Sequence, residues 1–329
     1  MKAILARLFD HQTLSENEAY ETLNQFSQGA FNASQMASFL TVYNMRDITN
    51  EELAGFRNAL IDLCIKVDLG GEETVDLCGT GGDGKHTFNI STLASFIVAG
   101  AGYKVTKHGN YGVSSISGSS NVLEHLGYSF TNDSDVLKRQ LEKSGICFMH
   151  APLFHPALKG VGPIRRELGM KTFFNMLGPL VNPAQPKQQL VGVFNLKLSN
   201  LYKFLHESLE KSYAIVYGMD GFDEVSLTDH VKVITNKGTT VLSPDDFGYD
   251  KIQLGEISGG TSIEEAAAIF QKIINGQGTT AQNNVVCANA ALAIKCFEPQ
   301  TSLLECVAKA EESLFSGKAK SSLANLLSN

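Results

Sequence analysis

The sequence lacks any hydrophobic run long enough to cross a membrane. Its longest mostly apolar segments, Leu93–Ala101 and Ala288–Ile294, fall far short of the roughly 20 residues that a transmembrane helix needs. The N-terminal stretch MKAILARLFDHQTLSENEAY becomes acidic and polar too early for a signal peptide. We therefore expect a cytoplasmic protein.

Cysteine and positive charge are also scarce. The six cysteines are scattered through apolar surroundings without a CxxC pair or a His/Cys cluster at metal spacing, which indicates buried thiols of a reduced compartment. The chain has 27 basic and 34 acidic residues, a net charge of −7. This balance argues against a broad surface for nucleic acid or anionic membranes and leaves room for a local anion pocket. We expect small-molecule partners.

The sequence contains enough apolar residues for a substantial core, and the spacing of these residues differs between the N-terminal part and the rest of the chain. The chain has 329 residues, 43% of them hydrophobic, which suits one large domain or two of ordinary size. Up to about residue 66, apolar residues recur at helical spacing, and Ser15 and Thr49 each precede a glutamate by three positions, as in a capping box. The N-terminal part is therefore predicted to be all-helical.

From Thr74 onward, short β-rich runs alternate with helical patterns, which predicts an α/β layer structure with mostly parallel strands. The segment Leu158–Asn182 is partly helical and is expected to pack back onto the N-terminal helices. In Val231–Leu242, Asn236-Lys237-Gly238 separates two β-branched runs and predicts a hairpin. The predicted parallel strands are Thr74–Cys78, Tyr103–Lys107, Gly145–Met149, Gln189–Phe194 and Ser212–Tyr217.

A glycine-rich loop follows the first of these strands in Asp76–Thr92, DLCGTGGDGKHTFNIST, with four glycines within Gly79–Gly84. Glycines after a strand allow positive φ and close approach to a ligand, and a helix N-terminus behind them offers unpaired N–H groups to an anion. Asn89 or Ser91 is predicted to cap the helix that runs through Leu93–Gly100. An ordinary strand-to-helix turn is the alternative interpretation.

Two well-known phosphate motifs fit this loop incompletely. Gly79, Gly84 and Lys85 match P-loop spacing, but His86 stands where a hydroxyl should reach the metal. Gly79, Gly81 and Gly84 match a dinucleotide-binding loop, but no acidic residue follows about 20 positions later.

A second loop with similar chemistry follows the next strand. Lys107-His108-Gly109-Asn110 comes at the end of that strand, and the hydroxyl-rich stretch Ser114–Asn121 leads into another helical pattern. Two anion-binding loops with one lysine suit a ligand that carries two separated phosphate groups. The alternative is two solvated Ser/Gly turns.

An acidic turn and several basic side chains complete the candidate site. Asp223 and Glu224 follow the strand at Ser212–Tyr217, and such paired carboxylates can hold Mg²⁺ against substrate phosphates or form a solvated corner. Arg165 is a candidate to bind the carboxylate of a second substrate. Three histidines are either general bases or packed loop residues, and their spacing does not decide between these roles: His108, His150 and His155.

These motifs together resemble the anthranilate phosphoribosyltransferases of tryptophan biosynthesis, and the similarity extends over nearly the whole chain. Four separate motifs in the right order make the resemblance highly specific, and it continues through His155–Pro183 and the GFDEVS turn. The motifs are GTGGD (Gly79–Asp83), NIST (Asn89–Thr92), KHGN (Lys107–Asn110) and SxSGS (Ser115–Ser119).

The resemblance implies a homodimeric transferase of the nucleoside phosphorylase and phosphoribosyltransferase fold type. A small all-helical domain, residues 1–70 completed by about 166–186, would accompany a larger α/β domain with a mostly parallel central sheet, residues 71–165 and 187–329. The enzyme would transfer the 5-phosphoribosyl group of phosphoribosyl pyrophosphate to the amine of anthranilate with Mg²⁺. Pyrophosphate and N-(5-phosphoribosyl)anthranilate would be the products.

The resemblance also implies roles for individual residues. Lys107 and Asp83 would support the reaction electrostatically, with no covalent nucleophile. Mg²⁺ would bind to Ser91, Asp223 and Glu224, and anthranilate would contact Gly79, His108, Asn110 and Arg165. Phosphoribosyl pyrophosphate would contact Gly79, Gly82, Asp83, Thr87, Asn89, Ile90, Ser91, Thr92, Lys107, His108, Gly109, Asn110, Tyr111, Gly112, Val113, Ser114, Ser115 and Ser119.

The sequence departs from the family pattern at two places in the second loop and at Lys171, where arginine is common. The family usually has arginine after KHGN, where this chain has Tyr111-Gly112, and it usually has GSAD where this chain has Gly118-Ser119-Ser120-Asn121. A cation and an acid are therefore missing together, as in a compensated exchange. The contacts of residues 111 and 121 are left open.

Two other functions are compatible with parts of the sequence. A pyrimidine nucleoside phosphorylase shares the fold, but its lysine loop would be closer to KHSTGG and it does not need the acidic pair. A non-catalytic relative that binds nucleic acid should carry a basic groove, which a net charge of −7 argues against.

Overall fold

The computed structural model describes residues 1–112 and 115–328. Its helices are α1 (Lys2–Phe9), α2 (Glu16–Ser27), α3 (Ala33–Met45), α4 (Asn50–Leu63), α5 (Ile90–Gly100), α6 (Ser119–His125), α7 (Ser134–Ser144), α8 (Ala151–Phe154), α9 (Gly162–Leu168), α10 (Phe174–Leu177), α11 (Leu196–Ser208), α12 (Ile263–Ile274), α13 (Thr280–Phe297), α14 (Leu303–Phe315) and α15 (Lys318–Leu327). Its strands are β1 (Thr74–Gly79), β2 (Lys104–Gly109), β3 (Ile146–His150), β4 (Gln188–Gly192), β5 (Ser212–Gly218), β6 (Val231–Thr235) and β7 (Gly238–Leu242).

The chain divides into a helical unit and an α/β unit. The helical unit comprises Met1–Lys66 and Ala151–Pro183, and the α/β unit comprises Val67–His150 and Ala184–Asn329. Residues 151–165, which the sequence analysis assigned to the α/β domain, therefore lie in the helical unit. The reason is a contact with a distant part of the sequence: β3 ends at His150, and in the helix α8 that follows, Phe154 O accepts a hydrogen bond from the Ile65 N–H group at 2.8 Å.

The helical unit has an aromatic core to which both of its chain segments contribute. Phe56 of α4 stacks on Phe173, which comes from the later segment, with ring centroids 4.6 Å apart. Phe173 also lies 6.1 Å from Phe39 of α3. The expected packing of the middle segment on the N-terminal helices is thus confirmed. The capping boxes predicted at Ser15 and Thr49 are both present.

The α/β unit contains a seven-stranded sheet in the order β3-β2-β1-β4-β5-β6-β7. Strands β1 to β5 are parallel, whereas β6 and β7 form an antiparallel hairpin. Thr235 pairs with Gly238, so Asn236 and Lys237 form the two-residue turn. The predicted α/β class, parallel strands and hairpin are confirmed, with strand ends shifted by one or two residues.

The sheet is covered by helices that are buried around most of their circumference. Helix α13 packs against α5, β4 and β5, and both α5 and α13 are buried on nearly every face because they lie inside the unit rather than at its surface. Among the described residues, no helix combines the length and the apolarity required to span a membrane.

The sheet order determines where a ligand can bind. The chain adds β2 and β3 on one side of β1 and then continues with β4 on the other side. Ligands of open α/β sheets bind beyond the carboxyl ends of the strands at such a reversal. The glycine loop follows β1 at that point.

Candidate active site

The glycine loop after β1 adopts a backbone that other residues rarely take. Gly81, Gly82 and Gly84 have φ values of +63°, +84° and +73°, in the left-handed region that glycine enters without steric cost. Gly79 needs its missing side chain for another reason, because an added Cβ would collide with the carboxylate of Asp223. Backbone conformation and close packing therefore explain the density of glycines.

The helix behind this loop, α5, begins without the cap predicted from the sequence. Asn89 occupies the N-cap position but makes no side-chain capping bond. Instead its Nδ2 donates to Ser117 O at 3.1 Å, which links the first loop to the second. The Ser91 N–H group donates to Glu224 Oε1 at 3.0 Å. The positive end of the helix thus faces an acidic side chain from a distant loop.

The two acids of the turn after β5 lie directly against the glycine loop. Asp223 is 7% exposed, and its Oδ2 accepts a hydrogen bond from the Gly81 N–H group at 2.7 Å. Burial and the negative charge of Asp83 raise the pKa of Asp223 to about 7. Burial and the charges of Asp223 and Asp83 also raise the pKa of Glu224. Negative charge is therefore concentrated here.

The donor set of this acidic cluster fits Mg²⁺, which prefers oxygen ligands and usually combines one or two carboxylates with substrate phosphates. The raised pKa values of Asp223 and Glu224 arise from repulsion and burial that a divalent cation would offset. Within the described ranges, no group of three or more His, Cys, Asp or Glu side chains forms a ready metal cage. A cation held by this chain would thus rely on additional ligands.

The acidic turn is held in place by two residues that the sequence analysis missed. The Val225 N–H group donates to Asn289 Oδ1 at 3.1 Å, and Asn289 Nδ2 donates to Val225 O at 2.8 Å. A Cβ on Gly192 would overlap the backbone carbonyl of Asp223. Two sequence features could have indicated this support: a polar residue, Asn289, in a largely apolar stretch of α13, and a glycine, Gly192, at the end of β4.

Lys107 supplies a buried positive charge between the first loop and α5. Its side chain is almost completely buried, at 2% exposure, and Nζ donates to Leu77 O at 2.6 Å. Nζ also lies 3.5 Å from the Ser91 hydroxyl oxygen. Burial lowers the pKa of Lys107, and the charge of Asp76 opposes this shift. The lysine can therefore act as a fixed cation for an anionic ligand.

The second loop closes against the N-terminus of α6. The Asn110 carbonyl accepts a hydrogen bond from the Ser120 N–H group at 3.2 Å and one from Ser119 Oγ at 3.4 Å. A Cβ on Gly109 would overlap Ser119 Oγ. Ser115 is exposed. Two predicted site residues lie outside the described part of the chain: Val113 and Ser114.

The departures at residues 111 and 121 are accommodated by hydrogen bonds and ring contacts rather than by an ion pair. Asn121 Oδ1 accepts hydrogen bonds from the N–H groups of Gly112 and Gly118, both at 2.9 Å. Tyr111 donates its hydroxyl to Glu124 at 3.0 Å, and its ring meets that of His150 edge-on at 4.8 Å. Residues 111 and 121 thus organise the loop without an ion pair between them.

The other predicted residues of the first loop offer fewer polar groups to a ligand. The side chains of Ile90 and Thr92 are buried at 1% exposure each, so only their backbone groups remain for a ligand. Thr87 forms an isolated β-bridge with Ser258. Asp83 accepts a hydrogen bond from the Lys85 N–H group at 3.0 Å.

The three histidines considered from the sequence lie in different environments. His150 has its Nδ1 atom 2.9 Å from Ser120 Oγ and stacks on Phe130 at 4.3 Å, which makes it a packed residue at the end of β3. The backbone N–H group of His108 donates to Asp76 Oδ1 at 3.2 Å. Burial lowers the pKa of His155, in the helical unit, to about 4, so it stays neutral at physiological pH.

Arg165 belongs to the helical unit, in α9. Its guanidinium group donates to Asn175 Oδ1 at 3.1 Å and lies 5.6 Å from the centre of the Phe174 ring. Burial lowers the pKa of Arg165. The neighbouring Arg166 is exposed. The orientation of the Arg165 side chain is therefore set by contacts within the helical unit.

Comparison with known proteins identifies the family. The family described as "Glycosyl transferase family, helical bundle domain" matches residues 2–64, and "Glycosyl transferase family, a/b domain" matches residues 71–320. The anthranilate phosphoribosyltransferase of Flavobacterium psychrophilum is 57% identical over 99% of this chain and 98% of its own length. The chain belongs to the anthranilate phosphoribosyltransferase family. The corresponding enzyme of Bacteroides fragilis strain YCH46 is 50% identical over 98% of both chains.

Solved structures of anthranilate phosphoribosyltransferases have the same fold. The enzyme from Thermus thermophilus superimposes with a TM-score of 0.92 at 32% identity, covering 98% of each chain. The enzyme from Saccharomyces cerevisiae in complex with PRPP and Mg gives a TM-score of 0.90 at 28% identity, covering 98% of this chain and 96% of the yeast chain. The predicted family, fold class and enzyme class are confirmed. The nucleoside phosphorylase and nucleic-acid-binding alternatives are not supported.

Proposed function

We propose that this chain transfers the 5-phosphoribosyl group from phosphoribosyl pyrophosphate to the amine of anthranilate. The products are N-(5-phosphoribosyl)anthranilate and pyrophosphate, in L-tryptophan biosynthesis. The observation that carries the proposal is the convergence of the glycine loop, Lys107 and the Asp223–Glu224 turn. The family's enzymes bear this activity in their names, and a solved relative holds PRPP and Mg.

The pyrophosphate group of the substrate is proposed to bind at the glycine loop and the N-terminus of α5. The N–H groups at a helix start and the helix dipole favour an anion, and Lys107 adds a formal positive charge beside Ser91. The second loop is proposed to bind the other phosphate group. The proposed contacts are Gly79, Gly82, Asp83, Thr87, Asn89, Ile90, Ser91, Thr92, Lys107, His108, Gly109, Asn110, Tyr111, Gly112, Ser115 and Ser119, together with Val113 and Ser114.

Ser91, Asp223 and Glu224 are proposed to hold Mg²⁺. When bound, Mg²⁺ supplies positive charge next to the leaving pyrophosphate. Support comes from the contacts of the Ser91 N–H group with Glu224 and of the glycine loop with Asp223, and from the raised pKa of each carboxyl group. The solved relatives in complex with Mg are consistent with this assignment.

The reaction breaks the bond from the anomeric carbon to the pyrophosphate oxygen and forms one to the anthranilate nitrogen, which loses a proton. Negative charge develops on the leaving pyrophosphate, and fixed N–H groups together with Lys107 stabilise it without reorganisation. The neutral aromatic amine is already nucleophilic. The remaining task of the protein is orientation, which can contribute several kcal/mol to lowering the barrier.

Anthranilate is proposed to contact Arg165, Gly79, His108 and Asn110. Arg165→Ala should raise the anthranilate KM about 10- to 100-fold, because a charged hydrogen bond to the substrate carboxylate is lost. The KM for phosphoribosyl pyrophosphate should change by less than about threefold, since charged contacts to that substrate are unaffected. Steady-state kinetics with each substrate varied in turn measure both values. Arg166→Ala, the exposed neighbour, is the control, and equal effects on both substrates would remove the proposed role.

The anchor of the acidic turn gives a second prediction. Asn289→Leu leaves the N–H and C=O groups of Val225 without their partner, a cost of about 1–3 kcal/mol that loosens the turn. The Mg²⁺ concentration for half-maximal activity should rise roughly tenfold, while the anthranilate KM stays unchanged. Asn283→Leu is the control, because Asn283 is also buried on α13 but donates to Gly278 O. An unchanged Mg²⁺ requirement in the Asn289 variant would contradict the anchoring role.

We also propose that the protein is a homodimer in the cytoplasm. The helical unit exposes large apolar side chains, including Met45 at 82% and Phe9 at 59%, which is consistent with an interface. Light scattering coupled to gel filtration tests this state. A monomeric mass across the micromolar range would contradict it.

A fluorimetric assay tests the proposed function itself. Anthranilate emission should decay only when phosphoribosyl pyrophosphate and Mg²⁺ are both present. Phosphate-dependent cleavage of uridine or thymidine in place of this decay would indicate a nucleoside phosphorylase. A shift of nucleic acid on a gel at moderate salt would instead favour a binding protein.

A further inference from the structure

The backbone pairing between the two strands that carry the phosphate loops stops before the strands reach the site. β1 and β2 pair only at Thr74 with Lys104 and Val75 with Val105. By contrast, β1 pairs with β4 as far as Gly79 and Gly192, and β2 pairs with β3 as far as its last residue. The backbone pairing between β1 and β2 therefore has a gap toward their carboxyl ends, where it no longer fixes the two loops relative to each other.

Side-chain hydrogen bonds cross this gap. Thr106 Oγ1 donates to Thr74 Oγ1 at 3.0 Å near the last backbone pair. Farther along, Asp76 Oδ1 accepts a hydrogen bond from the His108 N–H group at 3.2 Å. Lys107 Nζ also donates across the gap, to Leu77 O. Asp76 thus receives the N–H group that a continuous parallel ladder would have paired with a backbone carbonyl.

Asp76 is fully buried, at 0% exposure, where a carboxylate is costly without compensation. Its partners include the His108 N–H group and the Cys78 thiol, whose Sγ atom lies 3.8 Å from Oδ2. The charge of Asp76 also supports the positive charge on buried Lys107. Asp76 thereby acts on two successive residues of the KHGN motif, Lys107 and His108. These interactions offset the cost of burying its carboxylate.

We propose that Asp76 is a positioning residue that fixes the separation between the glycine loop and the KHGN loop, so that both loops reach the phosphate groups of one ligand. Asp76 acts through His108 and Lys107 and does not touch the ligand. The inference rests on the proposed function and extends it to a residue that lies before the glycine motif. It assigns to this carboxylate a task that backbone pairing performs elsewhere in the sheet.

The test compares variants that keep or remove the acceptor at position 76. Asp76→Ala loses the bond to His108 and should weaken the binding of phosphoribosyl pyrophosphate about tenfold or more. Asp76→Asn keeps an oxygen acceptor while losing the charge, so it should recover at least part of that affinity. Dissociation constants from calorimetry in the presence of Mg²⁺ measure the effect. The KM for phosphoribosyl pyrophosphate should rise in parallel.

A matched control separates positioning from general loss of structure. Thr106→Val removes the other side-chain bond in the same gap, farther from the loops, and should leave the affinity within about twofold of the wild type. The inference is overturned if Asp76→Ala binds as well as the wild type, or if Thr106→Val loses just as much. If Asp76→Ala does not fold, Asp76→Ser, whose hydroxyl is too short to span the gap, replaces it under the same criteria. Failure of the wild type itself to bind phosphoribosyl pyrophosphate would instead refute the proposed function.

Discussion

Replacement of both acids of the turn after β5, Asp223→Asn with Glu224→Gln, should abolish nearly all turnover. We expect kcat to fall by about a thousandfold or more, because charge stabilisation of a leaving group by a metal site is worth several kcal/mol. The residual rate should no longer respond to Mg²⁺. The amides preserve side-chain size at the glycine loop, where Gly79 leaves room for residue 223. Initial rates over a Mg²⁺ titration measure both effects.

The matched control is Asp229→Asn, which changes an acid of the same loop that pairs with His230 and is 40% exposed at its side chain. This variant should keep the wild-type rate and the wild-type Mg²⁺ response. Near-normal activity of the double variant, with an unchanged response to Mg²⁺, would contradict the metal assignment.

Replacement of the buried lysine, Lys107→Met, should lower kcat/KM for phosphoribosyl pyrophosphate by about 100- to 1,000-fold. A charge-assisted contact in a site shielded from water contributes more than it would at the surface, and Lys107 is almost fully buried beside Ser91. Methionine retains the unbranched apolar stem without the charge. The anthranilate KM should change little.

Lys104→Met on the same strand is the control for this experiment. Lys104 Nζ donates to Leu141 O at 2.8 Å, so its loss affects the packing of α7 and leaves the loops intact. Its kcat/KM should stay within about twofold of the wild type. If Lys107→Met retained the wild-type kcat/KM, the lysine would have no electrostatic role in the reaction.

The features that local sequence predicted correctly depend on neighbouring residues. The capping boxes at Ser15 and Thr49 need a partner only three positions away. The hairpin at Val231–Leu242 follows from its turn residues, and the parallel strands follow from short apolar runs. Such interactions are decided within a few residues, so pattern and spacing are sufficient.

The features that the sequence did not predict depend on distant parts of the chain. Asn89 is a good cap by composition, yet its amide bonds to Ser117 while Glu224 accepts the Ser91 N–H group. The role of Asn289 as a support of the acidic turn follows only from its hydrogen bonds with Val225, which is 64 positions away in the sequence. Residues 151–165 were placed in the wrong unit because their contacts are with the N-terminal helices, far away in the sequence.

The structure of the protein with phosphoribosyl pyrophosphate and Mg²⁺ bound tests the central claim most directly. We predict that the pyrophosphate group lies against the Gly79–Gly84 loop and the N-terminus of α5, with the ammonium group of Lys107 beside it and the metal on Asp223 and Glu224. A pyrophosphate group bound elsewhere, with the glycine loop empty, would contradict the account.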